Sequence, residues 1–101
     1  HGETNAIENA GRQPATVYAR STIYTTLSPC FMCAGTILLY KIPRVVIGEN
    51  THFEASEELL RSHGVEIVVL DDAETKTMFK EWMDANPTLW NEDIGEEDAS
   101  A

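Results

Sequence analysis

The feature that most limits the fold is an alternation of two periodicities. Three short runs rich in β-branched residues, TIYTTL (22–27), RVVIG (44–48) and VEIVVL (65–70), are separated by stretches with helical spacing. Such runs read as strands, and the stretches between them as helices. Intervals of this length are too long for hairpins and suit crossovers between parallel strands, which are nearly always right-handed. The expected product is α/β: a mostly parallel sheet covered by helices on both faces.

Four helical segments fit that frame. ETNAIENAGR (3–12) places Ala6, Ile7 and Ala10 on one face, with Gly11 as its stop. Residues 30–41 are apolar around most of the helix, which predicts burial on most sides; Pro29 stands at its start, and Pro43 breaks the pattern beyond it. Residues 54–63 direct Leu59 and Leu60 inward and stop at Gly64. Asp71 or Asp72 caps a helix over 73–85 whose Met78, Phe79, Trp82 and Met83 form an apolar stripe, with Trp82 expected in the core. Pro87 ends it, and a turn with Leu89 and Trp90 leads into an acidic run. The expected order is helix, strand, helix, strand, helix, strand, helix.

The 101 residues, 43% of them hydrophobic, suit one domain with its own core. Seventeen acidic against seven basic residues give a net charge of −10. That balance argues against nucleic acid or an anionic membrane as partner, because phosphates need clustered Lys and Arg. A small substrate fits better. No apolar run approaches the ~18 residues of a membrane span. Two cysteines are too few for a secreted disulfide scaffold, so a reducing cytoplasmic setting is expected. The chain opens on His1 and runs directly into a helical pattern, which reads as a cut inside a domain.

Cys30 and Cys33 stand three apart at a helix start, so both sulfurs share one side. Exposed N–H groups and the helix dipole there are expected to favour thiolates. By itself the pair leaves structural zinc, catalytic zinc and a redox couple open. His1 and Glu3 shift the balance. Two Cys and one His supply the three protein ligands that a zinc site with one open position needs. A carboxylate two residues from that His can stand beside the open position and move protons. Taken alone, His1 would read as a frayed end and Glu3 as an acid favouring its helix dipole. The bland readings elsewhere are Phe53 and Trp90 as caps on the core, Asp93 as part of the solvated run Glu92–Asp98, and His52 and His63 as surface residues.

H-x-E followed by P-C-x-x-C is the zinc deaminase signature. More narrowly, HGETNAIENAGR, TIYTTLSPCFMCAGTILLYKIPRVVIGEN and LWNEDIG resemble the fungal-type cytosine deaminases of the cytidine deaminase-like superfamily, over essentially the whole chain. The resemblance implies a three-layer α/β/α sandwich in which a first helix and two strands precede His1, making residues 1–101 a partial, N-terminally truncated zinc domain. It implies one Zn²⁺ held by His1, Cys30 and Cys33, with Glu3 as proton shuttle in the hydrolysis of cytosine to uracil and ammonia, a step of pyrimidine salvage. It implies that the Gly2 and Cys30 N–H groups and the Ser28 carbonyl face the base, that Phe53 and Trp90 close over the ring, and that Asp93 accepts from the amine side. An Asn upstream of His1 would also read the base. A homodimer through helix 30–41 and a cytoplasmic location, extending to the nucleus, complete the picture. The alternatives are a deaminase of another nucleobase, a tRNA adenosine deaminase, and a catalytically silent zinc-binding subunit, which would have no use for Glu3.

Overall fold

A computed structural model describes residues 1–96. Its elements are α1 (Gly2–Ala10), α2 (Ala15–Tyr18), β1 (Thr22–Leu27), α3 (Phe31–Tyr40), β2 (Arg44–Glu49), α4 (Glu57–Ser62), β3 (Glu66–Val69), α5 (Ala73–Ala85) and α6 (Pro87–Asp93). The three strands form one parallel sheet in the order β1-β2-β3, with Ile23 opposite Val45 and Val45 opposite Ile67. The alternation in the sequence thus becomes the expected parallel sheet with helical crossovers.

Strand periodicity sorts the side chains into two layers. Val45 and Ile47 point to one face, where they join Ile23, Ala34, Ile37, Ile42, Leu60 and Val65 in a buried cluster under α3 and α4. α1 packs on α3 and β1. The opposite face of β2, carrying Val46 and Gly48, receives α5. A side chain at Gly48 would come within 2.8 Å of the Thr26 carbonyl oxygen and 3.0 Å of the Thr75 methyl, so glycine lets α5 approach the sheet closely. Helices therefore cover both faces, as the cytidine deaminase-like fold requires.

Several expectations are corrected. Ala15–Tyr18 is a short helix, α2, which the Gly11–Pro14 turn chemistry hid; its Tyr18 is buried and its hydroxyl donates to the Gly11 carbonyl at 2.6 Å. The Leu89–Trp90 turn is a helix, α6, with Pro87 in its first turn. Cys30 is the N-cap of α3, so Pro29 lies one residue outside the helix. α3 ends at Lys41, whose positive φ of 58° breaks the helix before Pro43 is reached. α3 is buried on one face only: Cys33, Ala34 and Ile37 are inaccessible, while Phe31, Met32 and Leu39 are exposed. Leu60 is buried but Leu59 is exposed, because their neighbouring positions lie about 100° apart on the helix. Trp82 is not core: it is 39% exposed at the rim of α5. His52 is not a free surface residue either. Its Nδ1 lies 2.8 Å from Oε1 of Glu49, a carboxylate with no exposure. Among the described residues, no helix is long and apolar enough to cross a membrane.

Candidate metal centre

The C-terminal end of β1 delivers the chain into the turn Ser28–Pro29–Cys30, and α3 starts immediately after. Cys30 caps α3, its Sγ lying 3.5 Å from the Cys33 backbone N–H. One helical turn brings Cys33 to the same side, as the three-residue spacing demands. α1 approaches from across the sheet end with His1 at its N-cap. His1 Nδ1 stands 3.4 Å from Cys30 Sγ and 3.6 Å from Cys33 Sγ. Tetrahedral zinc with Zn–S near 2.3 Å and Zn–N near 2.0–2.1 Å separates N and S ligands by about 3.6 Å. The ring nitrogen and both sulfurs thus have the spacing of a zinc ligand set, and all three ligand atoms lie within 4.8 Å of one another. Three protein donors leave a fourth position open.

Several groups act on the buried sulfur. Burial pushes the Cys33 thiol up, and the nearby Glu3 carboxylate and Cys30 push it further in the same direction. A bound cation would offset that burial by favouring the thiolate, as a metal-ligating sulfur requires.

Glu3 sits one turn into the site. Its Oε1 accepts a hydrogen bond from Thr25 Oγ1 at 2.6 Å, and that hydroxyl also lies 2.9 Å from the Leu27 carbonyl oxygen. His1 Nε2, on the side away from the sulfurs, is 3.4 Å from Asp93 Oδ1. An Nε2–H directed at a carboxylate leaves Nδ1 free as the metal ligand.

A cavity of about 280 Å³ opens over these groups, and it gathers every site residue expected from the sequence except buried Cys33: His1, Gly2, Glu3, Ser28, Cys30, Phe53, Trp90 and Asp93. Phe53 and Trp90 meet edge to face at 5.8 Å, and Phe79 meets Trp90 at 5.0 Å. Neither Phe53 nor Trp90 is buried, so they are walls of the cavity and not caps on the core. Asp93 is separated from the rest of the acidic run by its contact with His1; Glu97 and Asp98 of that run lie outside the described residues.

Sequence reasoning missed two contributors. Thr25 was read only as a strand residue, although alternation along β1 puts it on the Ile23 face, where α1 packs. Glu57 was not singled out, yet it is 4% exposed and accepts from Ser28 Oγ at 2.7 Å. Only the two-residue rule could have signalled Thr25, and nothing local signals Glu57.

Residues 1–49 match the family model described as "Cytidine and deoxycytidylate deaminase zinc-binding region". The chain is 54% identical over 96 residues to the cytosine deaminase of Candida albicans, covering 95% of this chain and 64% of that protein. It is 33% identical over 88 residues to tRNA-specific adenosine deaminase 2 of Xenopus laevis, covering 79% of this chain and 47% of the relative. It is 41% identical over 51 residues to the tRNA-specific adenosine deaminase of Buchnera aphidicola, covering 50% of this chain and 34% of that protein. The chain thus spans from about a third to just under two thirds of the length of these relatives. The matched region, residues 1–49, carries all three metal-ligating side chains in zinc-binding geometry, so it is a deaminase-type zinc-binding region and its cofactor is zinc.

Proposed function

We propose that this chain carries the active site of a hydrolytic deaminase acting on free cytosine, which yields uracil and ammonia. The observation that carries the reading is the joining of two sets of residues in one cavity. His1, Cys30 and Glu3 form one wall, and Phe53, Trp90 and Asp93 form the other. The 54% identity to a Candida albicans cytosine deaminase supports the same substrate.

Zinc, when bound, supplies the Lewis acidity that makes water a nucleophile at neutral pH. Glu3 takes one proton from the attacking water and gives it to ring N3 as C4 becomes tetrahedral. It then carries the second water proton to the amine, which leaves as ammonia while the C4 carbonyl forms. The Thr25 hydroxyl, 2.6 Å from the carboxylate, steadies it during both transfers. Asp93 accepts from the exocyclic amine, and the Gly2 and Cys30 N–H groups with the Ser28 carbonyl fix the plane of the ring. Phe53 and Trp90 exclude bulk water from the base.

The cavity volume, about 280 Å³, sits at the small end of the ~300–1,000 Å³ common for ligand sites, which favours a base over a nucleoside. The tRNA adenosine deaminase relatives support a second reading, deamination of adenosine in a tRNA loop. Against it stand the net charge of −10 and the carboxylates Glu92, Asp93 and Glu96 beside Trp90, where RNA phosphates would need cations. The exposed Phe31, Met32 and Leu39 of α3 support a second copy of the chain as partner, and two ligand thiols suit the reducing cytoplasm or nucleus. Assaying purified protein on cytosine, cytidine, adenine, guanine and tRNA, with zinc quantified, tests the reading. Cytosine is expected to be turned over far better than cytidine, with little salt dependence. A preference for cytidine or tRNA would overturn the substrate assignment.

A further inference from the structure

The turn that carries Cys30 has a second set of partners, which the deamination steps do not use. Glu57 opens α4 and is 4% exposed. Its Oε2 accepts from Ser28 Oγ at 2.7 Å and from Asn50 Nδ2 at 3.2 Å. Its Oε1 faces Arg61 Nη2 at 3.4 Å. The preceding residue, Ser56, has no exposure, and its hydroxyl donates to the Pro29 carbonyl at 2.5 Å. Consecutive residues of α4's start thus bind consecutive residues of the metal-site turn.

This arrangement has a cost and a use. A buried carboxylate is unfavourable unless it is paired and hydrogen-bonded. α4 needs none for its packing, since Leu60 fills the core and Glu58, exposed on the same first turn, already complements the helix dipole. In the turn, Cys30 is tied to α3, its carbonyl accepting from the Ala34 N–H at 2.8 Å, while Ser28 and Pro29 are held through α4. The sheet register ends at Leu27, opposite Glu49, so no strand pairing holds residues 28–30. Yet Cys30 Sγ must stay 3.4 Å from His1 Nδ1, which belongs to a different helix. We propose that Glu57, assisted by Ser56, is a positioning residue for the zinc centre: it ties the Ser28–Cys30 turn to α4 and so sets where the Cys30 sulfur stands. This role rests on the metal centre and not on the choice of substrate.

The test measures zinc affinity by competition with a chelating dye, together with the absorption spectrum of the cobalt-substituted protein. Substituting a partner outside the ligand set typically weakens metal binding by about 10–100-fold. Glu57→Ala should fall in that range and alter the cobalt spectrum. Glu57→Gln, which keeps an acceptor for Ser28, should recover most of the affinity. Val45→Ala, at the opposite end of β2, serves as a control: it destabilises the core but should leave the affinity and spectrum of the folded protein unchanged. If Glu57→Ala does not fold, Ser28→Ala cuts the same bond from the other end and should weaken zinc similarly. A folded Glu57→Ala, or in its place a Ser28→Ala, with wild-type zinc affinity and cobalt spectrum overturns the proposal. So does a loss in Glu57→Ala that Val45→Ala reproduces at equal destabilisation. Zinc bound with these effects but without cytosine turnover would sink the substrate assignment and leave this role standing.

Discussion

The two walls of the cavity are built differently. The metal wall stands on the ends of α1 and α3, and α3 is anchored by Cys33, Ala34 and Ile37, none of which is exposed. Behind it lie the satisfied buried polar groups Ser28, Ser56 and Glu57. The aromatic wall joins Phe53, on the connection between β2 and α4, to Trp90 on α6, with α5 behind it, and neither of these helices buries a single residue. What holds it is a set of ring contacts among Phe53, Phe79, Trp82 and Trp90 at 5.0–6.4 Å. Such pairs contribute roughly 0.5–1.5 kcal/mol each beyond burial, which is local and modest. The difference teaches that metal binding and the proposed capture of a base are separable except at Asp93, which stands on α6 yet contacts His1 Nε2 at 3.4 Å. The two cysteines are anchored in the core through α3, while α1, α5 and α6 bury no residue and rest on surface contacts.

The sharpest break of that comparison is Cys33→Ala. It should remove zinc and all activity together, since the site is left with one sulfur and one imidazole nitrogen. Metal analysis of the purified variant checks this, and one zinc per chain would show that Cys33 is not a ligand. Next in size is Glu3→Gln. It should keep zinc and lose at least ~100-fold in kcat, the low end for general acid–base catalysis. If zinc leaves with the carboxylate, Glu3 belongs to the ligand set and not to the chemistry.

The same division governs what the sequence made legible. The metal wall was readable because its parts are local: a three-residue Cys spacing fixes two sulfurs on one helix turn, and H-x-E fixes a ligand and a base on another. The parallel sheet followed from periodicity, down to β2, found one residue longer than read. The aromatic wall was read only through family resemblance. Spacing gave Trp82 a place in the core that it does not have, because the α5 stripe of Met78, Phe79 and Trp82 lines a separate apolar pocket against Thr26 and Leu27. α2 was lost in a Gly- and Pro-bearing connection, and α6 was read as a turn because Pro87 was taken as a stop when it is a helix start. Glu57 was invisible because its burial depends on a donor, Ser28, brought from elsewhere in the fold, whereas Glu49 is satisfied by the adjacent Thr51 and His52 in a connection with no regular pattern to read.

A smaller effect is expected on the aromatic side. Trp90→Ala removes a cavity wall and the hub of three ring contacts. Stacking a base on an aromatic ring contributes about 1–3 kcal/mol, so kcat/KM for cytosine should fall roughly 5- to 100-fold. Zinc content and affinity should not change. Loss of zinc in this variant would show that the two walls are coupled and break the comparison.

The smallest effect concerns the attachment of the aromatic wall. Asp72 caps α5, accepting from the Thr75 hydroxyl at 2.6 Å and the Thr75 N–H at 2.8 Å. These bonds, the hydroxyl's first, hold its carboxyl below the usual carboxylate range. A carboxyl depressed in the folded state stabilises the fold above its unfolded pKa of about 3.9 and loses that contribution as pH falls through the lower folded value. Asp72→Asn, which mimics the protonated form, should therefore lower Tm slightly at neutral pH, on the order of a few degrees for one helix cap in a chain of this size. Variant and wild type should converge as pH drops below about 4. Both tryptophans of the chain, Trp82 and Trp90, lie on the aromatic side, so fluorescence reports that wall directly while a chelator assay reports the other. A shift in the tryptophan transition with zinc affinity unchanged would confirm that α5 carries the aromatic wall alone. Equal shifts in both signals would mean that the cap supports the whole site.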